Sequence, residues 1–315
     1  MNSRDQVNHV MLSIAAVERD TGIGKDTLRV WERRYGFPEP SRDGNGERIY
    51  PMSQVEKLRV IKRLMDQGHR PGRIVAQSME ALQHLSQGHD SLTMARLVKG
   101  APSEDLQIYI EKLRAHDGDG LRRQLTQSLS QDGLQRFVTD VVAPLTALVG
   151  ETWARGELAV HEEHMYTECV TGLLRQAIGA LPSPAQNASP CVLLTTFPQE
   201  AHGMGLLMAE SMIALQGCRC VSLGTQTPVR DIAEAAKLHN VHVVALSFSV
   251  NMNPNHVAQG LIELRELLPQ TVDIWAGGQS PALRRKTLSR VKVLSGLDSI
   301  SEAVGEWRSL HVVNS

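Results

Sequence analysis

Apolar positions along the 315-residue chain change period twice. Residues 12–79 carry short helical patterns around a turn-rich insert. SIAAVERD at 13–20 reads as an amphipathic helix ending at Thr21-Gly22, and KDTLRVWERRY at 25–35 reads as a second. Residues 103–183 keep the helical period through Leu106, Tyr109, Ile110 and Leu113, then Leu134, Phe137, Val138, Val141 and Val142, with Ser103 and Asp132 as expected N-caps. From 190 to 310 the pattern becomes short β-rich runs at 191–196, 219–223, 241–249, 271–276 and 291–295. These alternate with helical stretches such as 203–216 and 229–238. Alternation of that kind predicts βαβ units and a parallel, doubly wound sheet.

These periods imply a multidomain chain: a winged helix-turn-helix head at 1–79, a linker at 80–102, a helical bundle at 103–183 and an α/β domain at 188–315. A Pro/Ser/Ala-rich stretch at 183–190 joins the last two. The longest apolar runs are far too short to cross a bilayer, and residues 1–12 lack the apolar stretch of a secretory signal. The four cysteines (Cys169, Cys191, Cys218, Cys220) form no C-x-x-C pair. A cytoplasmic protein with reduced thiols is the expectation.

Charge adds an asymmetry that the overall net of −1 conceals. Residues 12–79 carry 13 Lys and Arg against 9 Asp and Glu, whereas residues 80–315 carry 19 against 24. A basic head on an acidic body suits contact with a polyanion at one end. In the second helix, Leu28, Trp31 and Tyr35 fall at core spacing, which leaves Lys25, Arg29 and Arg33 on the opposite face. The insert GFPEPSRDGNGERIYP reads as a hairpin around Asp43-Gly44-Asn45-Gly46, flanked by Arg42 and Arg48.

Residues 12–75, with LRVWERRYGFP and the arm end Arg48-Ile49-Tyr50, resemble the winged helix-turn-helix of MerR-type transcription regulators. The resemblance implies homodimers on a pseudo-palindromic double-stranded promoter site. It also implies Arg29, Arg33, Arg34, Arg42, Arg48 and Tyr50 as DNA contacts.

In the α/β domain the first strand runs into Pro198-Gln-Glu200-Ala-His202-Gly-Met-Gly205. Ligands of open α/β sheets sit at the carboxyl ends of strands, so a histidine there can reach a metal. Glu200 can accept a hydrogen bond from the other imidazole nitrogen. Two further strand ends are small: Ser247-Phe-Ser249 and Gly277-Gly278. Together they open a slot for a long ligand tail; ordinary turn chemistry explains any one of them but not all three.

The set E-x-H-x-x-G, S-x-S and G-G resembles the cobalamin-binding domain of B12-dependent enzymes and some regulators, most of which have Asp at the position of Glu200. The resemblance makes His202 the lower axial cobalt ligand. It places Ser247, Ser249, Gly277 and Gly278 around the nucleotide tail, with Gly205 permitting close approach. In the helical segment, WARGELAVHEEH reads as one helix with Trp153, Val160, Glu163 and His164 on a shared face. This W-x9-E-H run resembles the light-sensing MerR regulators of the CarH/LitR type. That implies adenosylcobalamin, with Trp153 packed on the adenosyl group and Glu163 and His164 binding it. Some relatives carry a histidine directly after the tryptophan, where this chain has Ala154.

The resemblance implies a repressor that holds DNA in the dark as a dimer or tetramer and releases it in light. Two alternatives stand beside it: a MerR-type regulator controlled by another ligand or a partner protein, and a corrinoid subunit of a B12-dependent enzyme. No serine triad, phosphate loop or zinc spacing is present, and His161 and His164 are unaccompanied by further ligands in sequence.

Overall fold

The computed structural model describes residues 11–44, 46–66, 69–79, 81–82, 104–185, 188–250, 252–284 and 290–311. The chain divides into two compact units, Met1–Thr93 and Met94–Ser315. Apart from residues 81–82, the expected linker at 80–102 lies outside the described residues, as does the expected N-cap Ser103.

The first unit opens with a strand, β1 (Met11–Ser13), which the helical period of the sequence did not disclose. Helix α1 (Ile14–Thr21) follows, and the Ser13 hydroxyl caps it by accepting from the Ala16 amide at 3.3 Å. Gly22, at φ +69°, stops it in the left-handed conformation, and α2 (Lys25–Tyr35) follows after a tight turn. Strands β2 (Ser41–Arg42) and β3 (Arg48–Pro51) form the expected hairpin, in register Ser41 with Ile49 and Arg42 with Arg48. β1 adds to the other edge of β3. Helices α3 (Met52–Asp66) and α4 (Pro71–Ile74) follow. Val17, Leu28, Trp31, Tyr50, Leu58 and Ile61 share one buried core, to which Leu82 also belongs.

The second unit begins with four helices: α5 (Glu104–Arg114), α6 (Gly118–Arg136), α7 (Ala143–Ala154) and α8 (Val160–Gly179). Asp117 caps α6 through a 2.8 Å bond from the Gly120 amide. The expected helix start at Asp132 falls one residue from a break: Gly133 (φ +74°, ψ +164°) is non-helical and divides α6 in two. A π-helical turn at Phe137–Val142 leads into α7 and buries Phe137, Val138 and Val142.

The remaining elements alternate: β4 (Cys191–Thr195), α9 (Met204–Leu215), β5 (Arg219–Gly224), α10 (Val229–Leu238), β6 (Val243–Phe248), α11 (Pro254–Leu267), β7 (Asp273–Gly278), β8 (Val291–Val293) and α12 (Ser299–His311). The sheet order is β5-β4-β6-β7-β8, with every pairing parallel. Every residue of β4 is buried, as a strand covered on both faces requires. One apolar cluster joins a sheet face, α9 and α12 to the helical bundle; a second fills the opposite face under α10 and α11. An ion pair between Arg175 on α8 and Glu210 on α9, at 2.7 Å, ties bundle to sheet. No described helix is long and apolar enough to cross a membrane.

Candidate functional site

The strand order reverses between β4 and β6, and the crevice beyond their carboxyl ends is where open α/β sheets bind ligands. The loop after β4 carries Glu200 and His202 into that crevice. The Glu200 side chain is almost fully buried, and its Oε1 lies 2.6 Å from His202 Nδ1. The same oxygen accepts from the His202 amide at 3.1 Å, while Oε2 accepts from the Ser249 amide at 2.7 Å. One carboxylate therefore joins the loop after β4 to the loop after β6. Burial opposes its ionisation, but the bonds donated by His202 and by the hydroxyl and amide of Ser249 outweigh that and hold its pKa below the ordinary carboxylate value. With Nδ1 turned to Glu200, the imidazole is oriented and exposed, at 61% for its side chain.

Hydroxyls at the strand ends brace these loops. Thr196 Oγ1 donates to the Glu200 carbonyl at 2.7 Å and accepts from the Gln226 amide at 2.8 Å. Thr195 Oγ1 donates to the Gly224 carbonyl at 2.9 Å. The sequence reading missed this role for Thr195 and Thr196; the signal was a pair of β-branched hydroxyls closing an otherwise apolar strand. Positive-φ backbone gathers at the same end of the sheet, in Gln199 (φ +71°) and Gln226 (φ +62°), where a side chain makes it strained, and in Gly278 (φ +107°).

The small residues expected to form a slot are tightly placed. A Cβ on Gly205 would lie 2.9 Å from Ser247 Oγ, and one on Gly278 would lie 2.2 Å from the Phe248 carbonyl oxygen. Gly277 pairs with Ser247 across β6 and β7. The Ser249 hydroxyl is buried beside the Glu200 carboxylate, so the strand end that faces the crevice is polar. An oriented imidazole held by a buried carboxylate, with small residues at the neighbouring strand ends, fits a cobalamin.

The helical residues are placed differently from the single-helix reading. The chain breaks between α7 and α8, because Gly156 (φ +75°) closes a Schellman turn: its amide bonds the Trp153 carbonyl at 2.9 Å and the Glu157 amide bonds the Thr152 carbonyl at 3.0 Å. Trp153 ends α7, half-buried against the core, while Val160, Glu163 and His164 begin α8. Glu163 Oε2 lies 3.7 Å from His164 Nε2, and Glu163 Oε1 accepts from Thr167 at 2.8 Å. Val160 and His164 are exposed, whereas Tyr166 and Val170 further along α8 are buried. Nor is His161 unaccompanied: its ring centroid lies 5.2 Å from that of His116.

In the head, Arg29, Arg33, Arg34 and Arg42 are exposed, with Lys25 paired to Glu18 at 3.4 Å and Arg29 to Asp26 at 3.0 Å. Trp31 is core, as its spacing implied. Tyr50 departs from expectation. It is fully buried and its hydroxyl donates to Glu32 at 2.7 Å, so it anchors the wing from inside rather than facing DNA. Burial and the Glu32 carboxylate push its pKa well above the usual phenol value. Arg48 bonds the other oxygen of Glu32 at 2.9 Å. Glu32 is thus the link between α2 and the wing, unnoticed in sequence because it sits among the charges of a solvated-looking ERR run.

Comparison with known proteins agrees domain by domain. The model of the MerR HTH family regulatory proteins matches residues 12–76, and two B12 binding domain models match residues 106–178 and 190–306. The transcriptional repressor CarA of Myxococcus xanthus is 31% identical over 284 residues, 87% of this chain and 89% of CarA. The chain belongs to the CarA/CarH family of MerR-type regulators. CarH from the same organism is 29% identical, over 86% of this chain and 90% of CarH. Among solved structures, a corrinoid protein of Methanosarcina barkeri superposes with a TM-score of 0.52, at 14% identity, over 66% of this chain and all of that one, a likeness of fold. This CarA/CarH-family chain is a B12-dependent transcription regulator. Its head is the DNA-binding element, and its body carries the cobalamin-binding domains.

Proposed function

We propose that this regulator is a repressor that reads light through bound adenosylcobalamin. The observation that carries this reading is the Glu200–His202 pair at the strand-order reversal, with the same carboxylate tied to Ser249 at the end of the next strand. His202 would hold cobalt through Nε2, oriented by Glu200 at Nδ1. Ser247, Ser249, Gly277 and Gly278 would receive the nucleotide tail, and Gly205 would let the chain approach it. Trp153, Val160, Glu163 and His164 would receive the adenosyl group. When bound, the cofactor supplies a cobalt–carbon bond that absorbed light breaks.

The chain's part is to register that loss. The Schellman turn at 155–159 sets Trp153 against the start of α8, and both helices share the bundle core. Removing an adenosyl group that touches both alters their packing, which shifts the balance between dimer and tetramer and the number of heads on one DNA. Lys25, Arg29, Arg33, Arg34, Arg42 and Arg48 supply the contacts to promoter DNA.

The test uses the full chain mixed with adenosylcobalamin in the dark. A red complex, a spectral change under green light, and parallel changes in size by chromatography and in DNA affinity are expected. A colourless protein would overturn cofactor binding. Identical dark and lit behaviour in a red protein would overturn the light switch alone.

A further inference from the structure

We infer that the chain carries a second metal site, for a divalent transition metal of the Zn2+ class, built from His116, His161 and Glu162. Their ligand atoms all lie within 4.8 Å of one another. His116 Nδ1 is 3.5 Å from Glu162 Oε1, and the two imidazole rings are 5.2 Å apart, tilted by 39°. The three come from two stretches of chain: His116 from the turn between α5 and α6, His161 and Glu162 from the first turn of α8. This site shares no residue with the Glu200–His202 pair and sits on the same turn of α8 as Val160, Glu163 and His164.

Two features make it more than a chance grouping. The Glu162 carboxylate is buried and already oriented, because its Oε2 accepts from the Ala159 amide at 2.6 Å while Oε1 faces His116. Both imidazoles are exposed, so they can move in and leave an open coordination position for water. Second, His116 occupies a place that glycine normally takes. It is the left-handed residue (φ +55°) of a Schellman turn, with its amide on the Leu113 carbonyl at 3.1 Å and the Asp117 amide on the Lys112 carbonyl at 2.9 Å. A β-carbon is disfavoured there, and strain of this kind at a chemically capable side chain points to use of that side chain.

Two histidines and one carboxylate with an open position form a common zinc donor set. Zinc bonds of about 2.0–2.1 Å in tetrahedral geometry put ligand atoms about 3.3 Å apart. The present spacing closes to that by rotation of exposed imidazoles, with the buried carboxylate as the fixed point. A bound ion would tie the α5–α6 turn to the start of α8, reinforcing the 2.7 Å ion pair of Arg114 with Glu157 that already bridges the two turns.

The experiment titrates Zn2+ into the full chain against a chromophoric chelator and follows thermal unfolding. One Zn2+ per chain and a Zn2+-dependent rise in Tm are expected. His161→Ala should weaken binding at least tenfold. The variant His116→Gly separates metal binding from folding: it removes a ligand and also relieves the turn, so metal-free Tm should rise, on the order of 2 °C, while the Zn2+-dependent rise disappears. His164→Ala and His202→Ala should keep both the stoichiometry and the Tm gain. No binding by the parent chain, or binding that survives both His116→Gly and His161→Ala, overturns the site.

Discussion

Glu200 holds His202 Nδ1 at 2.6 Å and, with its other oxygen, the Ser249 amide at 2.7 Å. The residue that orients the imidazole therefore also locks two strand ends together. Glu200→Gln keeps an acceptor but loses the charge, and cobalamin affinity should fall about 10- to 100-fold. Glu200→Ala also leaves the Ser249 amide unpaired, at a further cost of about 1–3 kcal/mol in stability. Spectral titration with adenosylcobalamin, beside urea unfolding of the cofactor-free protein, separates the two effects.

Gly278, at the end of β7, and Gly205, in the first turn of α9, should respond differently to a methyl group. At Gly278 both the backbone (φ +107°) and a carbonyl oxygen 2.2 Å away oppose it. Gly278→Ala should cost about 2–3 kcal/mol by urea denaturation, even without cofactor. At Gly205 the obstacle is the Ser247 hydroxyl at 2.9 Å, a side chain that can rotate. Gly205→Ala should leave stability nearly unchanged while weakening cobalamin binding; a large loss of stability would contradict this account of the loop.

In the head, Glu32→Ala strands the buried Tyr50 hydroxyl and frees Arg48, and should cost about 1–3 kcal/mol. Tyr50→Phe leaves Glu32 its bond to Arg48 and should cost about 1 kcal/mol. Combined, the two should cost less than the sum of their separate effects, since they break one network. Denaturation of all three variants tests this.

Arg33→Ala should act on binding and not on folding. Loss of one phosphate contact should weaken affinity for all DNA sequences alike and lower the salt slope of binding by about one. Fluorescence anisotropy across a range of salt concentrations measures it, and an unchanged slope would exclude Arg33 from the interface.

Acid should weaken the second unit through His242. Burial, and the nearby His311 and Arg219, hold its pKa below the usual histidine value. Its Nδ1 accepts from the Cys191 amide at 2.9 Å, and its ring meets Trp307 edge-on. The folded state therefore favours the neutral ring, while the unfolded chain takes up the proton more readily. The stabilisation is complete above the ordinary histidine range and is lost as pH falls through that range towards the lowered folded value. Unfolding free energy measured between neutral and mildly acidic pH should drop, and His242→Gln should flatten the drop.

The periodic patterns were readable because period and burial are local properties. The unbroken apolar run of β4 could only be a strand covered on both faces, and the 3.6-residue spacing of Leu106, Tyr109, Ile110 and Leu113 could only face one core. Glu200 and His202 were readable for the same reason: two residues apart, their pairing needs no knowledge of the rest of the chain. Gly156 was visible too, but its stop signal was overridden by the helical spacing of Trp153, Val160 and Glu163.

What the linear order could not reveal were meetings between distant segments. Glu32 and Tyr50 lie 18 positions apart, and Glu200 and Ser249 lie 49 apart. His116 faces Glu162 because α5 and α8 pack in one bundle, and nothing near either residue announces the other. Side-chain type and spacing set which faces turn inward; which residues then touch depends on how the layers close over one another. That closure brings together residues whose separation along the chain says nothing about their distance in space.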